Sequence, residues 1–161
     1  MNKMKNIIKK FFVSLICISA MMTISNVNAL DYIDTYTYIE EEFDDGSYIE
    51  VTVEQSNVLT RASSITGKKT ASYKGSSGTI YWSVTVTGTF TYNGTTASCT
   101  KSSVSTKNNS VSWKLSNAKS SKSGATALAS VTAKQHHQDG TVLKTVNQTV
   151  KLTCSASGKL S

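Results

Sequence analysis

Apolar residues occupy every second position in one stretch after another between Lys69 and Ser161. Such alternation is typical of strands with one buried and one wet face, and no helical period competes with it. The clearest run places Ile80, Trp82, Val84, Val86, Phe90 and Tyr92 on even positions. The same segment is rich in Ser and Thr, which could also indicate a glycosylated stalk. Such stalks are rich in proline, and the chain has none. We therefore expect an all-β fold.

Turn residues divide the later strands. Asn93-Gly94 is a strong hairpin signal, Gly88 indicates a bulge or a bend, and Gln138-Asp139-Gly140 predicts a second hairpin turn. The inward residues predicted after Asn93 are Ala97, Cys99, Val111, Trp113, Leu115, Ala125, Ala127, Ala129, Val131, Ala133, Val142, Val146, Val150, Leu152 and Cys154. About six to eight short strands with a buried Trp predict a single antiparallel β-sandwich of immunoglobulin-like architecture over residues 69–161.

The first 29 residues have the layout of a secretory signal peptide. Met1–Lys10 carries four lysines and no acid, and the apolar run Phe11–Ile24 follows it. The run is shorter than the roughly 20 residues that a membrane-spanning helix needs. Val27 and Ala29 supply the small residues that signal peptidase requires, so cleavage is expected after Ala29. This predicts a secreted, extracellular protein that begins at Leu30, with no transmembrane segment after signal removal.

Charge divides the exported part into two segments. Residues 30–56 contain nine Asp and Glu and no Lys or Arg, whereas residues 61–161 contain thirteen Lys and Arg against the single acid Asp139. Residues 57–68 are polar and read as a linker, within which Arg61 is a possible processing site. The predicted organisation is therefore an acidic leader (30–56), a linker (57–68) and a basic β-sandwich (69–161).

The acidic leader also has strand character. Its charges are interleaved with aromatic and β-branched residues, which disordered acidic tails usually lack. A three-residue loop at Asp44-Asp45-Gly46, with Gly46 in the left-handed region, predicts an N-terminal β-hairpin. In that register Ile39 and Phe43 share a face with Ile49, Val51 and Val53. An isolated hairpin is marginal in water, so this face is expected to dock on the basic domain.

Two cysteines follow the signal segment, Cys99 and Cys154. An even pair in an exported chain predicts a disulfide. In the chain-entropy picture, closing a loop of this length stabilises the fold by about 4 kcal/mol.

The sequence offers few candidates for catalysis. His136 and His137 are adjacent, and they lie with Asp139 beside a predicted turn. No nucleophile elbow, phosphate-binding glycine loop or set of metal ligands accompanies them. We therefore predict a protein that is not an enzyme, with no catalytic residues, no metal site and no cofactor.

Binding is the function class that the charge favours, because a strongly basic small domain attracts polyanions. Candidate binding residues are Lys107, Lys114, Lys119 and Lys122. Anionic surface polymers, anionic lipid and host glycans or proteins are the expected partner classes. Nucleic acid is not favoured, because no arginine-aromatic cluster is present. The simpler interpretation is that these lysines keep a Ser/Thr-rich sheet soluble and guard its edges.

The charge split suggests three hypotheses. The leading one is a secreted binding module whose basic surface is masked by the acidic leader until the linker is cut. The second is a structural protein that polymerises by adding its hairpin to the sheet edge of another copy. The third is an antimicrobial or membrane-active domain controlled by a pro-segment. The oligomeric state is left open.

Several phrases of the sequence resemble a family of small secreted proteins of Gram-positive anaerobes. They are SGTIYWSVTVTGTFTYNGTTASCT, KSGATA and VKLTCSASGKLS, together with DDGSYIEVTVE, which is similar to the usual acidic leader of that family. The resemblance covers most of the exported part. It implies export and a β fold, and it implies no activity.

Overall fold

The chain folds into eight antiparallel strands joined by turns. The computed structural model describes residues 32–57 and 63–161, and no helix lies within these ranges. The strands are β1 (Tyr32–Glu42), β2 (Tyr48–Asn57), β3 (Ser64–Lys74), β4 (Ile80–Tyr92), β5 (Ala97–Asn108), β6 (Trp113–Ser123), β7 (Thr126–His136) and β8 (Val142–Thr153).

The strands form two antiparallel sheets. Sheet A has the order β1-β2-β3-β4-β5, and sheet B has the order β6-β7-β8. The inner faces of both sheets supply one hydrophobic core, which confirms the predicted all-β sandwich. In both sheets, neighbouring strands are also neighbours in the chain, and the crossing between sheets occurs at β5–β6. Such meanders differ from the Greek-key order that immunoglobulin-like sandwiches use.

The predicted alternation holds in the middle of the strands. Trp82, Val84, Val86 and Phe90 are completely buried. The small residues of β7 are buried as predicted, as are the later apolar residues of β8 and Cys154. The period of two is therefore a reliable guide wherever the strands pair without a bulge.

The alternation fails at the strand ends. Ile80, Val111 and Val142 were predicted to face inward, but their exposed fractions are 40%, 104% and 46%. Ile80 and Val142 lie at register shifts beside the turns, between β3 and β4 and between β7 and β8. Val111 lies in the turn between β5 and β6 rather than in a strand. A register shift or a turn releases a side chain from the face that the pattern assigns to it.

Gly88 allows the two sheets to approach each other closely. A Cβ at this position would lie 2.6 Å from the ring of Phe90 and 2.9 Å from the Cβ of Ala127 on sheet B. The pairing of β4 with β5 shifts between Thr89 and Phe90, directly after Gly88. The extra residue at this shift is Thr100 on β5, whereas Gly88 stays in register with Ser102, so Gly88 is not itself the bulge but makes room for the facing sheet.

The acidic hairpin is an integral part of sheet A. Strand β2 lies between β1 and β3, and its Ile49, Val51 and Val53 are at most 1% exposed. Gly46 has φ of 77°, as the predicted turn requires. Strand β3 begins at Ser64, within the segment interpreted as a linker. The hairpin therefore contributes a core strand rather than resting on a finished domain.

One detail of the predicted hairpin register is wrong. The pairing of β1 with β2 shifts between Ile39 and Glu41, and Ile39 lies opposite Glu50. Ile39 therefore points away from the core and is 51% exposed. Before the bulge, Tyr36 and Tyr38 lie opposite Val53 and Val51 and share the face of these valines. A bulge in β1 is invisible to a two-residue period, because it changes parity within a strand.

Four turns meet at one end of the sandwich, which we call the turn end: 43–47, 75–79, 109–112 and 137–141. Just below them an aromatic cluster fills the core. The ring centroid of Tyr73 lies 5.5 Å from that of Phe43, 5.4 Å from that of Trp82 and 4.9 Å from that of Trp113. Stacked and tilted aromatic pairs of this kind add to the stabilisation that burial provides. The turns at this end therefore lie directly above a packed aromatic cluster.

Candidate functional site

The four candidate lysines lie on strands β5 and β6, which form one side of the sandwich. Lys107 is on β5, and Lys114, Lys119 and Lys122 are on β6; all four are exposed. Lys101 on β5 is exposed as well. We call this region, defined by these five residues, the lysine side. The structure therefore places the candidates on two edge strands that contact each other, with Lys107 on the outer face of sheet A and Lys114 and Lys119 on that of sheet B.

Contacts between β5 and β6 hold the lysine side together. The Lys122 ammonium donates a hydrogen bond of 2.7 Å to the Thr100 carbonyl, and the Ser120 hydroxyl donates one of 3.4 Å to the Ser102 carbonyl. These bonds occupy carbonyls that an edge strand would otherwise leave open to another chain. Lys122 therefore has a structural role, whereas Lys107, Lys114 and Lys119 make no comparable contact that we observe in the described part of the chain.

A like-charged pair extends this surface onto β7. Lys114 lies directly opposite Lys134 in the β6–β7 register, and both side chains are exposed. Like charges directly across a pair of strands destabilise the sheet. Sequence analysis missed Lys134 as a candidate, because its position beside Lys114 depends on the register. An anion bound between the two ammonium groups would relieve this repulsion.

A polar groove crosses the adjoining part of sheet B. It has a volume of about 440 Å³ and lies where β6 bulges between Ser116 and Lys119. Its polar lining residues are Asn117, Lys119, Ser130, Thr132, Asn147, Gln148 and Thr149. The groove places hydroxyl and amide groups next to the ammonium of Lys119. That combination suits a ligand that carries both anionic groups and hydroxyls.

The acidic hairpin lies at the other edge of sheet A, on what we call the acidic side, formed by β1, β2 and the facing edge of β8. The Glu50 carboxylate is 2.6 Å from the Lys74 ammonium, and Asp45 is 3.1 Å from that of Lys144. The Gln148 amide donates a hydrogen bond of 2.8 Å to the Glu40 carboxylate. Three of the hairpin's acids thus have partners on β3 and β8.

A chain of hydrogen bonds joins the hairpin turn to sheet B. The Lys144 ammonium donates to the Tyr73 hydroxyl over 2.8 Å. The Tyr73 proton is then available to Ser47, 2.6 Å away, and the Ser47 hydroxyl donates to the Asp45 carboxylate. The hydroxyl and backbone N–H of Ser47, followed by Lys144, lower the pKa of Asp45 to about 2. Sequence analysis missed this cluster, because its members come from β3, β8 and the first turn.

The two cysteines are free thiols in the structure, so the predicted disulfide is not formed. Cys99 and Cys154 are both buried, at 5% and 3% exposure. Their backbone N–H groups donate to the consecutive carbonyls of Gly124 and Ala125. Each thiol lies against a backbone carbonyl, and burial raises the pKa of both. Parity predicted their shared inward orientation, but it does not establish a covalent bond.

His136 ends β7 and His137 begins the turn to β8, so the pair lies beside a turn as predicted. Nδ1 of His136 is 3.1 Å from the Gly140 carbonyl, and Nδ1 of His137 is 3.4 Å from the Asp139 carboxylate. The Thr141 backbone N–H lowers the pKa of Asp139. Within residues 32–57 and 63–161, no group of three or more His, Cys, Asp or Glu is placed to hold a metal ion. The absence of enzymatic activity stays a prediction.

The predicted signal cleavage after Ala29 and the possible processing site at Arg61 lie outside the described residues. In the part of the chain that the structure describes, no helix is long and apolar enough to cross a membrane.

Comparison with known proteins gives no match. No family model, no curated protein and no solved structure is significantly similar to the chain.

Proposed function

We propose that the protein is an exported, non-enzymatic binding module for a polyanionic ligand of a cell surface or host, and that the lysine side is its binding surface. The observation that carries the proposal is the segregation of charge by strand. Strands β5, β6 and β7 contain six lysines and no carboxylate side chain. Uncompensated lysines on one side of a small domain attract polyanions.

Masking by the acidic leader is not part of this proposal. Strands β1 and β5 are the opposite edges of sheet A, about 19 Å apart at the usual spacing between strands. The leader's acids contact Lys74 and Lys144 instead of the candidate lysines. An immunoglobulin-like relationship and membership of the secreted family likewise stay predictions, and the meander order of both sheets does not favour the first.

A matched set of variants tests the proposal. Lys107, Lys114 and Lys119 are replaced by Gln together, and a control protein carries Lys68→Gln, Lys151→Gln and Lys159→Gln. All six side chains are exposed, so both proteins lose the same charge. Binding to polyphosphate is measured over a range of salt concentrations, with dextran as the uncharged reference.

We expect the first set to weaken binding by about tenfold or more and to flatten its salt dependence, because fewer counterions are released. The control set is expected to change affinity by less than about threefold. Equal losses in both sets would show that net charge alone is responsible, and they would contradict a defined surface. Binding of dextran as tight as that of polyphosphate would also contradict the proposal.

A second candidate function is self-assembly by strand addition. Among the described residues, β1 pairs with β2 along one edge and with no strand along the other. Tyr36 and Tyr38 beside that edge are 42% and 39% exposed, and their rings stack at 6.3 Å. Open strand edges are templates for another chain. Light scattering over a concentration series tests this function, and a mass that stays monomeric at every concentration would exclude it.

A further inference from the structure

Four exposed apolar side chains gather at the turn end of the sandwich. They are Ile80, Val111, Val142 and Leu143, with exposed fractions of 40%, 104%, 46% and 59%. We call this group the apolar rim. The remaining large apolar residues found exposed in the described ranges are Tyr36, Tyr38 and Ile39, all on β1. The opposite end of the described sandwich contributes none.

Backbone hydrogen bonds bring the members of the rim together. Asn109 donates its N–H to the Tyr81 carbonyl over 2.8 Å and its side-chain amide to the Ile80 carbonyl over 3.3 Å. The His136 N–H donates to the Ser112 carbonyl over 2.7 Å. His136 in turn lies opposite Val142. The turn that carries Val111 is therefore held between the start of β4 and the end of β7, which pairs with the start of β8.

The exposure of Val111 has no explanation within the fold. A β-branched side chain disfavours turn conformations, and at full exposure Val111 contributes no burial to stability. Single exposed apolar residues are ordinary. A group of four at one end, with one at the tip of its turn, is the arrangement expected of a contact surface.

Three lysines lie on the strands that lead into or out of the turns of this end, two residues from the contacts described above. Lys107 precedes Asn109 by two residues, Lys114 follows Ser112 by two, and Lys134 precedes His136 by two. Two residues of a strand span about 7 Å, so cationic groups form a layer one step back from the apolar tips. This layering matches a bilayer surface, where apolar side chains reach the acyl boundary and lysines meet the phosphates.

The acids at the same end offset this layer only in part, because Asp139 is an exposed carboxylate beside the rim and Glu41 and Glu42 are exposed next to the first turn. Asp45 is bonded to Lys144, and Asp139 accepts a hydrogen bond from the Thr141 N–H and lies 3.4 Å from His137. Asp44, in the same turn as Asp45, is the remaining acid of the four turns. That turn connects β1 and β2, on the acidic side of the molecule, away from Lys107 and Lys114.

We propose that the apolar rim docks on the surface of an anionic lipid bilayer, with Val111 and Leu143 entering the acyl boundary and Lys107, Lys114 and Lys134 facing the phosphates. This inference rests on the proposed function, since it names a bilayer as the polyanion. A soluble polyanion would use the lysines and gain nothing from the rim. Burial of the rim is therefore what distinguishes a bilayer from a polymer.

The test is sedimentation with vesicles of phosphatidylcholine and phosphatidylglycerol in equal parts, with pure phosphatidylcholine vesicles as reference. The variant Val111→Ser with Leu143→Ser removes the apolar tips. Its matched control is Ile39→Ser, which removes an exposed apolar residue from the acidic side. Every variant carries the same residues 1–31, so any binding by that segment is common to all of them.

We expect the rim variant to bind the mixed vesicles at least about tenfold more weakly than the wild type, because two apolar side chains are no longer buried in the membrane. Ile39→Ser is expected to bind like the wild type. Lys114→Gln with Lys134→Gln is expected to weaken binding to the mixed vesicles by about tenfold or more, and pure phosphatidylcholine is expected to bind weakly throughout.

The possible results separate this inference from the proposed function. If the rim variant loses vesicle binding but still binds polyphosphate, both hold. If the rim variant and Ile39→Ser sediment equally with mixed vesicles, docking through the rim is overturned while the proposed function stands. If the lysine variants lose neither vesicle nor polyphosphate binding, the proposed function itself fails.

Discussion

The acidic side and the lysine side carry opposite charge and use it differently. On the acidic side, the hairpin's carboxylates meet Lys74, Lys144 and the Gln148 amide. On the lysine side, strands β5 and β6 carry lysines with no acid, and β7 adds another. Three carboxylates of the acidic side thus have partners within the fold, whereas on the lysine side Lys107, Lys114 and Lys119 show none among the described residues.

The two sides also differ in the interactions that join their strands to the rest of the fold. The acidic side depends on β2, whose apolar residues are as deeply buried as those of β4. The lysine side buries Trp113 of β6 in the same core, and polar contacts such as the bond from Lys122 to the Thr100 carbonyl join its two strands. Burial of apolar surface contributes more to stability than exposed polar contacts do. We therefore expect substitution of a buried apolar residue of β2 to be more damaging than the loss of an exposed polar contact on either side.

The largest expected effect comes from Ile49→Ala. Ile49 is completely buried, so truncation leaves a cavity and is expected to lower the free energy of unfolding by about 2–5 kcal/mol. The control is Ile39→Ala in the same hairpin, which is expected to change stability by less than about 0.5 kcal/mol because Ile39 is exposed. Urea unfolding followed by Trp fluorescence measures both. If Ile49→Ala lowered the free energy of unfolding as little as Ile39→Ala does, the hairpin would be a removable leader rather than part of the core.

The sequence predicts the sandwich because burial with a period of two covers the middle of β2, β3, β4, β7 and β8, as at Val84 and Val86. It predicts less at strand ends, where bulges turn Ile39 and Ile80 outward. The lysine candidates were found from composition, but the Lys114–Lys134 pair needs the register and the Lys144 cluster needs the packing of the sheets. Local pattern thus specifies which residues are buried, while pairing specifies which charges meet.

The next effect concerns the cluster that ties the hairpin turn to sheet B. Lys144→Met removes the donor to the Tyr73 hydroxyl and the partner of Asp45. We expect a loss of about 1–3 kcal/mol in the free energy of unfolding at neutral pH. Lys151→Met is the control, because Lys151 is exposed on the same strand. Equal stability of the two variants would contradict a role for the cluster.

The same cluster predicts that the stability of the fold depends on pH in the acid range. The pKa of Asp45 is about 2 in the fold, below its unfolded value near 4, so its stabilising contribution is present above about pH 4 and is lost as the pH falls towards 2. The stability difference between wild type and Asp45→Asn should therefore shrink across this window. Urea midpoints at intervals from pH 6 to about pH 2 measure it. A difference that stays constant would refute the lowered pKa.

A smaller effect is expected at the two buried thiols, Cys99 on β5 and Cys154 directly after β8. Because both thiols are buried and burial raises the pKa of each, we expect iodoacetamide to label them at least about tenfold more slowly in the native protein than in urea. Mass spectrometry of the labelled chain measures the rates. An intact mass short by two hydrogen atoms, restored by a reductant, would instead show that oxidation joins the pair.

The smallest expected effect is the coupling between Glu50 and Lys74. Their charged atoms are 2.6 Å apart and their side chains are 27% and 16% exposed, so solvent screens the attraction. A double-mutant cycle with Glu50→Gln and Lys74→Met should give about 0.5–1 kcal/mol. The cycle for Glu54 and Lys68, which lie opposite each other in the same pair of strands, should give less than about 0.5 kcal/mol. Coupling above about 2 kcal/mol in either cycle would mean that ion pairs, and not the buried face of β2, fasten the acidic hairpin to the sandwich.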